Sequence, residues 1–166
     1  MFCRPIGKFK FNPCMDTFSK RKRSEIMRAV KSKNSRMELS VQKRLSEKGI
    51  RHRKHSRNLP GIPDISFANK KLVVFLDSCF WHGCRWHGTN PSSNRKFWVQ
   101  KIKKNKERDK AVNAQYKKAG WKILRFWEHK LKRNQNIIVA AIITALEKSS
   151  PSTSISIYEK VKTTKK

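Results

Sequence analysis

Asp64-Ile65-Ser66-Phe67-Ala68, then Asn69-Lys70, then Leu72-Val73-Val74-Phe75-Leu76 follow one another along the chain, and their pattern decides the fold class. The first segment alternates apolar and polar residues like a half-buried strand, the second has turn chemistry, and the third is the unbroken apolar run of a central strand. A hairpin is predicted. Downstream, Trp98, Ile102, Asn105, Asp109, Val112 and Tyr116 recur at alternating four- and three-residue spacing. That period gives a long helix from Arg95 to Lys118, stopped at Gly120, with two polar residues in its inward stripe. Trp121 to Trp127 reads as a third strand and Asn136 to Leu146 as a closing apolar helix. Helices on a small mixed sheet give an α/β architecture.

Upstream, Lys20 to Lys31 reads as a short basic helix with Ile26, Met27 and Val30 as its apolar contacts. Ser35-Arg36-Met37-Glu38 has the form of a capping box, in which Ser and Glu side chains satisfy each other's backbone amides. The helix it opens carries Met37, Val41 and Leu45 on one face and ends at Gly49. Residues 1–18 and 149–166 lack any sustained apolar period and read as basic tails around one domain at 19–148.

Forty-one Lys and Arg against eleven Asp and Glu leave a formal charge of +30 over 166 residues. Such an excess predicts salt-sensitive binding to a polyanion. The four cysteines accompany neither a secretory signal nor an apolar run of membrane length. This argues against a disulfide scaffold and a membrane span, and a cytoplasmic protein is expected. Cys3 and Cys14 read as ordinary free thiols.

Cys79-Phe80-Trp81-His82-Gly83-Cys84-Arg85-Trp86-His87 follows the central strand and crowds two cysteines, two histidines and two tryptophans together. The C-x₄-C-x₂-H spacing offers Cys79, Cys84 and His87 as zinc ligands, and a structural zinc needs a fourth. If Trp121 to Trp127 runs beside Leu72 to Leu76, His129 falls near this loop, although sequence separation alone does not select it over His52 or His55. His82 either completes the set or is free for acid-base work near neutral pH. Asp64, at the mouth of its strand, is a ready Mg²⁺ ligand. Asp77 is either a second metal carboxylate or a loop cap, Glu38 has the capping box to explain it, and Asp109 is the remaining acid of interest.

Several separated strings carry a resemblance: Lys22-Arg23-Ser24-Glu25-Ile26-Met27-Arg28-Ala29-Val30, Leu59-Pro60-Gly61-Ile62-Pro63-Asp64, the Cys79 to Cys84 segment, Phe97-Trp98 with Lys101-Ile102 and Asn105 to Asp109, and Gly120-Trp121-Lys122-Ile123-Leu124 to Trp127-Glu128-His129. Over roughly Ser19 to Leu146 the chain resembles the very short patch repair endonucleases. These enzymes nick one strand at T:G mismatches left by deamination of 5-methylcytosine.

The resemblance implies a restriction-endonuclease-like fold with a structural zinc site. It implies catalysis by Asp64, His82 and Glu38, with Mg²⁺ on Asp64 and on the backbone carbonyl of Leu76. It implies Zn²⁺ on Cys79, Cys84, His87 and His129, which supplies the fourth ligand. Phe80, Trp81 and Trp98 fall on the aromatic wedge inserted beside the mismatch, and Met27, Lys101 and Asn105 on contacts to the mismatched pair and its surroundings. The implied substrate is double-stranded DNA with a T:G mismatch, acted on by a monomer that has mismatch-repair proteins as partners.

Two features depart from the wider fold family. Its D/E-x-K motif is absent, because Phe75-Leu76-Asp77-Ser78 contains no lysine, and Asp77 is an extra carboxylate there. A zinc-stabilised nucleic-acid-binding module without catalysis and a related nicking enzyme with another target are the competing expectations.

Overall fold

The computed structural model describes residues 19–30, 33–88 and 94–148. In chain order the elements are α1 (Lys20–Ala29), α2 (Arg36–Glu47), β1 (Arg53–Lys54), β2 (Ile65–Phe67), β3 (Leu72–Asp77), α3 (Arg95–Lys118), β4 (Lys122–Trp127), α4 (Glu128–Arg133) and α5 (Gln135–Glu147). The tails expected at 1–18 and 149–166 lie outside the described residues, as do residues 89–93 of the polar loop.

The four strands lie in the order β1-β2-β3-β4. β1, β2 and β3 pair antiparallel, whereas β3 and β4 pair parallel, with Val74 opposite Leu124 and Asp77 opposite Trp127. A parallel neighbour cannot be reached by a tight turn, so the chain crosses over through α3. The resulting small mixed sheet, flanked by helices, agrees with the predicted α/β class.

All six residues of β3 are buried because both faces of the sheet are covered. Leu72, Val74 and Leu76 meet Leu124, Val41 and Leu45 of α2, and Ile138, Val139 and Ile142 of α5. Val73 and Phe75, on the other face, pack with Val112 and Tyr116 of α3. Each such aliphatic side chain contributes about 1.5–3 kcal/mol by leaving water. The same alternation aims Asp77 toward α3.

The hairpin is present, but its details differ from the expectation. β2 is three residues long and buried throughout rather than half-buried, because Ser66 satisfies its hydroxyl against Ser56 at 2.6 Å. The turn is a 3₁₀ turn over Ala68–Lys70, closed by Lys71 in the left-handed region. The apolar residues of α1 are not buried contacts: Ile26, Met27 and Val30 are 36%, 41% and 43% exposed. β1 and α4 were not anticipated. No described helix is long and apolar enough to cross a membrane.

Candidate active site

β2 and β3 fix the first acidic residue. Asp64 immediately precedes β2, and the antiparallel register lets the Leu76 amide donate to its Oδ2 at 2.7 Å. Glu38 reaches the same place from the first turn of α2. Its Oε2 accepts from the Asn34 amide at 2.8 Å and its Oε1 from the Ser35 hydroxyl at 2.7 Å, while its own amide donates to Ser35 Oγ at 3.3 Å. The capping role is therefore real, with Asn34 rather than Ser35 supplying the amide. His55, whose Nε2 lies 3.4 Å from Glu38 Oε2, joins them. The ligand atoms of Glu38, His55 and Asp64 lie within 4.8 Å of one another, a grouping the sequence reading of His55 had missed.

Burial pushes the Asp64 carboxyl up to about 7; the Leu76 amide pulls it back, and the negative Glu38 and Asp77 raise it further. A carboxylate so reluctant to ionise alone gains most from a cation.

The cleft onto which Asp64 opens has a volume of about 830 Å³. Glu38, Leu76, Asp77, His82 and Asp109 also line it, together with Met27, Trp81, Lys101 and Asn105. Seven of the nine residues expected to serve catalysis or DNA contact thus meet in one concavity, and Phe80 and Trp98 lie outside its lining.

His82 is held by α3. Its Nδ1 lies 2.6 Å from Asp109 Oδ2 and 3.6 Å from Asp77 Oδ1. A carboxylate only accepts, so Nδ1 carries the proton and Nε2 is left as a base. Burial raises the Asp109 carboxyl, but the hydrogen bond from His82 and the Arg125 charge outweigh it and hold Asp109 below its ordinary value. Asp109 is one of the polar interruptions in the α3 stripe; the other, Asn105, donates through Nδ2 to the Trp81 carbonyl at 2.8 Å. Both secure the loop after β3. Asp77 is paired within the fold, where Arg125 Nη1 reaches both its oxygens at 3.2 and 3.3 Å.

That loop also carries the second ligand group. His129 Nδ1 lies 3.2 Å from Cys79 Sγ and 3.6 Å from Cys84 Sγ, and His87 Nδ1 lies 3.9 Å from Cys84 Sγ. A tetrahedral ion with bonds of about 2.0–2.3 Å sets its donor atoms roughly 3.3–3.8 Å apart, so two sulfurs and two imidazoles fit one. Because β4 runs parallel to β3, His129 emerges beside Cys79. His52 and His55 do not join this group. Burial pushes the Cys79 thiol up to about 11, and burial with the nearby His87, Lys130 and Arg133 holds the His129 imidazole below its ordinary value, neutral and free to ligate. Glu128 ties the loop down by accepting from the Ser78 hydroxyl at 3.1 Å and the Cys79 amide at 3.2 Å. Gly83 sits at φ +61°, where an added Cβ would come within 2.6 Å of Ile102 Cγ2.

Phe80, Trp81 and Trp98 form a cluster with ring centroids 5.0–5.6 Å apart. None belongs to either buried core cluster, and all three are half-buried. The neighbouring Phe97, 5.1 Å from Trp98, extends the patch outward. Trp86 projects from the loop, 75% exposed.

Comparison with known proteins bears on this site. The family described as DNA mismatch endonuclease Vsr matches residues 15–89. The type II nicking enzyme V.NmeDIP of Neisseria meningitidis serogroup C is 38% identical over 122 residues, which is 72% of this chain and 82% of that protein. This chain belongs to the Vsr family of DNA endonucleases. The type II nicking enzyme V.XorIIP of Xanthomonas oryzae pv. oryzae is 40% identical over 118 residues, 70% of this chain and 86% of that protein. The DNA mismatch endonuclease Vsr of Escherichia coli is 31% identical over 133 residues, 80% of this chain and 85% of that protein. Membership in the Vsr family implies the restriction-endonuclease-like fold and makes this chain a DNA-cleaving hydrolase. The expectation of a binding module without catalysis falls away.

Proposed function

We propose that this chain nicks one strand of duplex DNA at T:G mismatches arising from 5-methylcytosine deamination. Asp64 and the Leu76 carbonyl would hold Mg²⁺, and Cys79, Cys84, His87 and His129 would hold a structural Zn²⁺. One observation carries the reading: Asp64, the His82–Asp109 pair and the half-buried Trp81 line one cleft, and Trp81 packs against Phe80 and Trp98. A nucleic-acid-binding module needs the aromatics and the charge but has no use for the first two.

When bound there, Mg²⁺ would supply positive charge to offset the negative charge that builds on the phosphate. Lys and Arg around the cleft hold the backbone phosphates. Phe80, Trp81 and Trp98 offer flat faces that enter the base stack, a move costing a few kcal/mol per step that a weak T:G pair partly spares. Met27, Lys101 and Asn105 face the mismatched pair and its surroundings, Asn105 also fixing the loop that carries Trp81. His82 takes the proton of the attacking water on Nε2 while Asp109 holds Nδ1–H and stabilises the imidazolium that forms. Glu38, bound to the amide of Asn34, adds a fixed negative charge beside Asp64.

Incubating the protein with Mg²⁺ and matched or T:G duplexes, each strand labelled separately, tests this. A nick confined to the thymine strand of the T:G duplex is expected; equal cutting of both duplexes contradicts mismatch recognition. That second outcome is what a nicking enzyme with another target would give, a reading favoured by the relatives named as type II nicking enzymes.

A further inference from the structure

His82 faces two carboxylates, and only one of them is its partner. Asp77 and Asp109 both present oxygens to Nδ1, at 3.6 and 2.6 Å, and without a cation between them two buried like charges would repel. Arg125 stands between them. Its Nη1 binds both oxygens of Asp77, and its Nη2 lies 3.3 Å from Asp109 Oδ1, leaving Oδ2 of Asp109 for His82. The guanidinium carbon lies 4.4 Å from the centroid of the Phe75 ring, which fixes the plane of the fork. The side chain of Arg125 is only 5% exposed, and its Nε is buried with no partner.

We propose that Arg125, acting through Asp77 and Asp109, is a positioning residue that selects the partner of His82 and thereby fixes its tautomer for nicking. The inference rests on His82 being the base. A buried ion network is a poor route to stability, since well-packed apolar replacements are often neutral or better. This network earns its retention at its far end, on the imidazole that lines the reaction cleft. Asp77 holds one arm of the fork and so orients the other. Planarity matters as much as charge: a lysine carries the same charge but has no rigid fork with which to span two carboxylates.

The test uses the full chain and the double variant Asp77→Asn/Arg125→Met, which removes the pair while leaving no unpaired buried carboxylate on β3. At saturating T:G duplex, single-turnover nicking should fall on the order of 10- to 100-fold, as expected of a misplaced catalytic group, with duplex affinity unchanged. Imidazole nitrogen shifts should change from the pure Nδ1–H form of the native protein to a mixture of tautomers. A double variant that nicks at the native rate, or keeps a pure Nδ1–H imidazole, overturns the proposal. Should that variant fail to fold, Arg125→Lys replaces it: slow nicking with native affinity is expected, and full rescue by lysine overturns the proposal. His82→Ala, run alongside, separates the two levels. If His82→Ala nicks normally, the base assignment has failed; if it is inactive while the double variant is fully active, only the role of Arg125 has.

Discussion

Two ligand groups flank the end of β3, and they differ in how much they keep for themselves. In the Cys79–Cys84–His87–His129 group all four donor atoms converge on each other, and both sulfurs are buried. The Glu38–His55–Asp64 group offers three donors, one of them already committed to capping a helix, and its two carboxylates line a cleft. A closed set of four suits an ion that holds a loop in place, whereas an incomplete oxygen-rich set leaves positions for water and phosphate. The loop between them carries Trp81 and His82, both of which line the cleft.

The contrast breaks first at the cysteines. Cys84→Ala should lower the unfolding midpoint by roughly 10 °C or more, because structural zinc contributes directly to folding and about 1 kcal/mol moves the midpoint by several degrees in a domain of this size. Calorimetry, with zinc content measured on the same samples, checks it; a native midpoint with no bound zinc would make the group ornamental.

On the cleft side the effects should fall on rate instead. Asp109→Asn leaves the shape intact but replaces a carboxylate that can only accept with an amide that can also donate, so it no longer enforces the His82 tautomer or stabilises the imidazolium, and single-turnover nicking should drop on the order of 10²-fold or more with a small change in midpoint. Trp81→Ala should weaken mismatch binding by about 1–3 kcal/mol and unfolding stability by less. The reverse ranking, measured by titration and melting, would move Trp81 from the DNA-facing patch into the core.

The smallest effect is a pH dependence. The folded-state pKa of Asp64, about 7, lies above its ordinary 3.8, so the metal-free fold prefers the neutral acid. Its stabilising contribution to that fold is complete below about 4 and is lost as pH rises through about 7. Cation binding has the opposite sign, since it needs the carboxylate. At limiting Mg²⁺, affinity for the ion should therefore fall about tenfold per pH unit below 7, with proton uptake on its release. Isothermal titration at pH 6 and pH 8 measures both.

What was legible in the sequence follows from the range of the interactions. The α3 stripe and the apolar run of β3 are local periodicities, and both elements lie where the period puts them. The spacing of Cys79, Cys84 and His87 marked three candidate ligands, but His129 needed the parallel pairing of β3 with β4, which the sequence raised only as a condition. Arg125 was invisible, because its meaning depends on the pairing that places it beside Phe75 and on α3 delivering Asp109 from another layer. β1, two residues long, is too short to leave a pattern. The apolar residues of α1 misled for a different reason: Ile26 and Val30 have the spacing of a buried face, yet the helix keeps that face exposed.

The most direct test of the division of labour is nicking by Asp64→Ala, with zinc content and duplex affinity measured on the same preparation. Bound zinc and near-native affinity for T:G duplex are expected, with no thymine-strand product above background at saturating Mg²⁺. Product formed at the native rate would contradict this division of labour and move the chemistry away from this cleft.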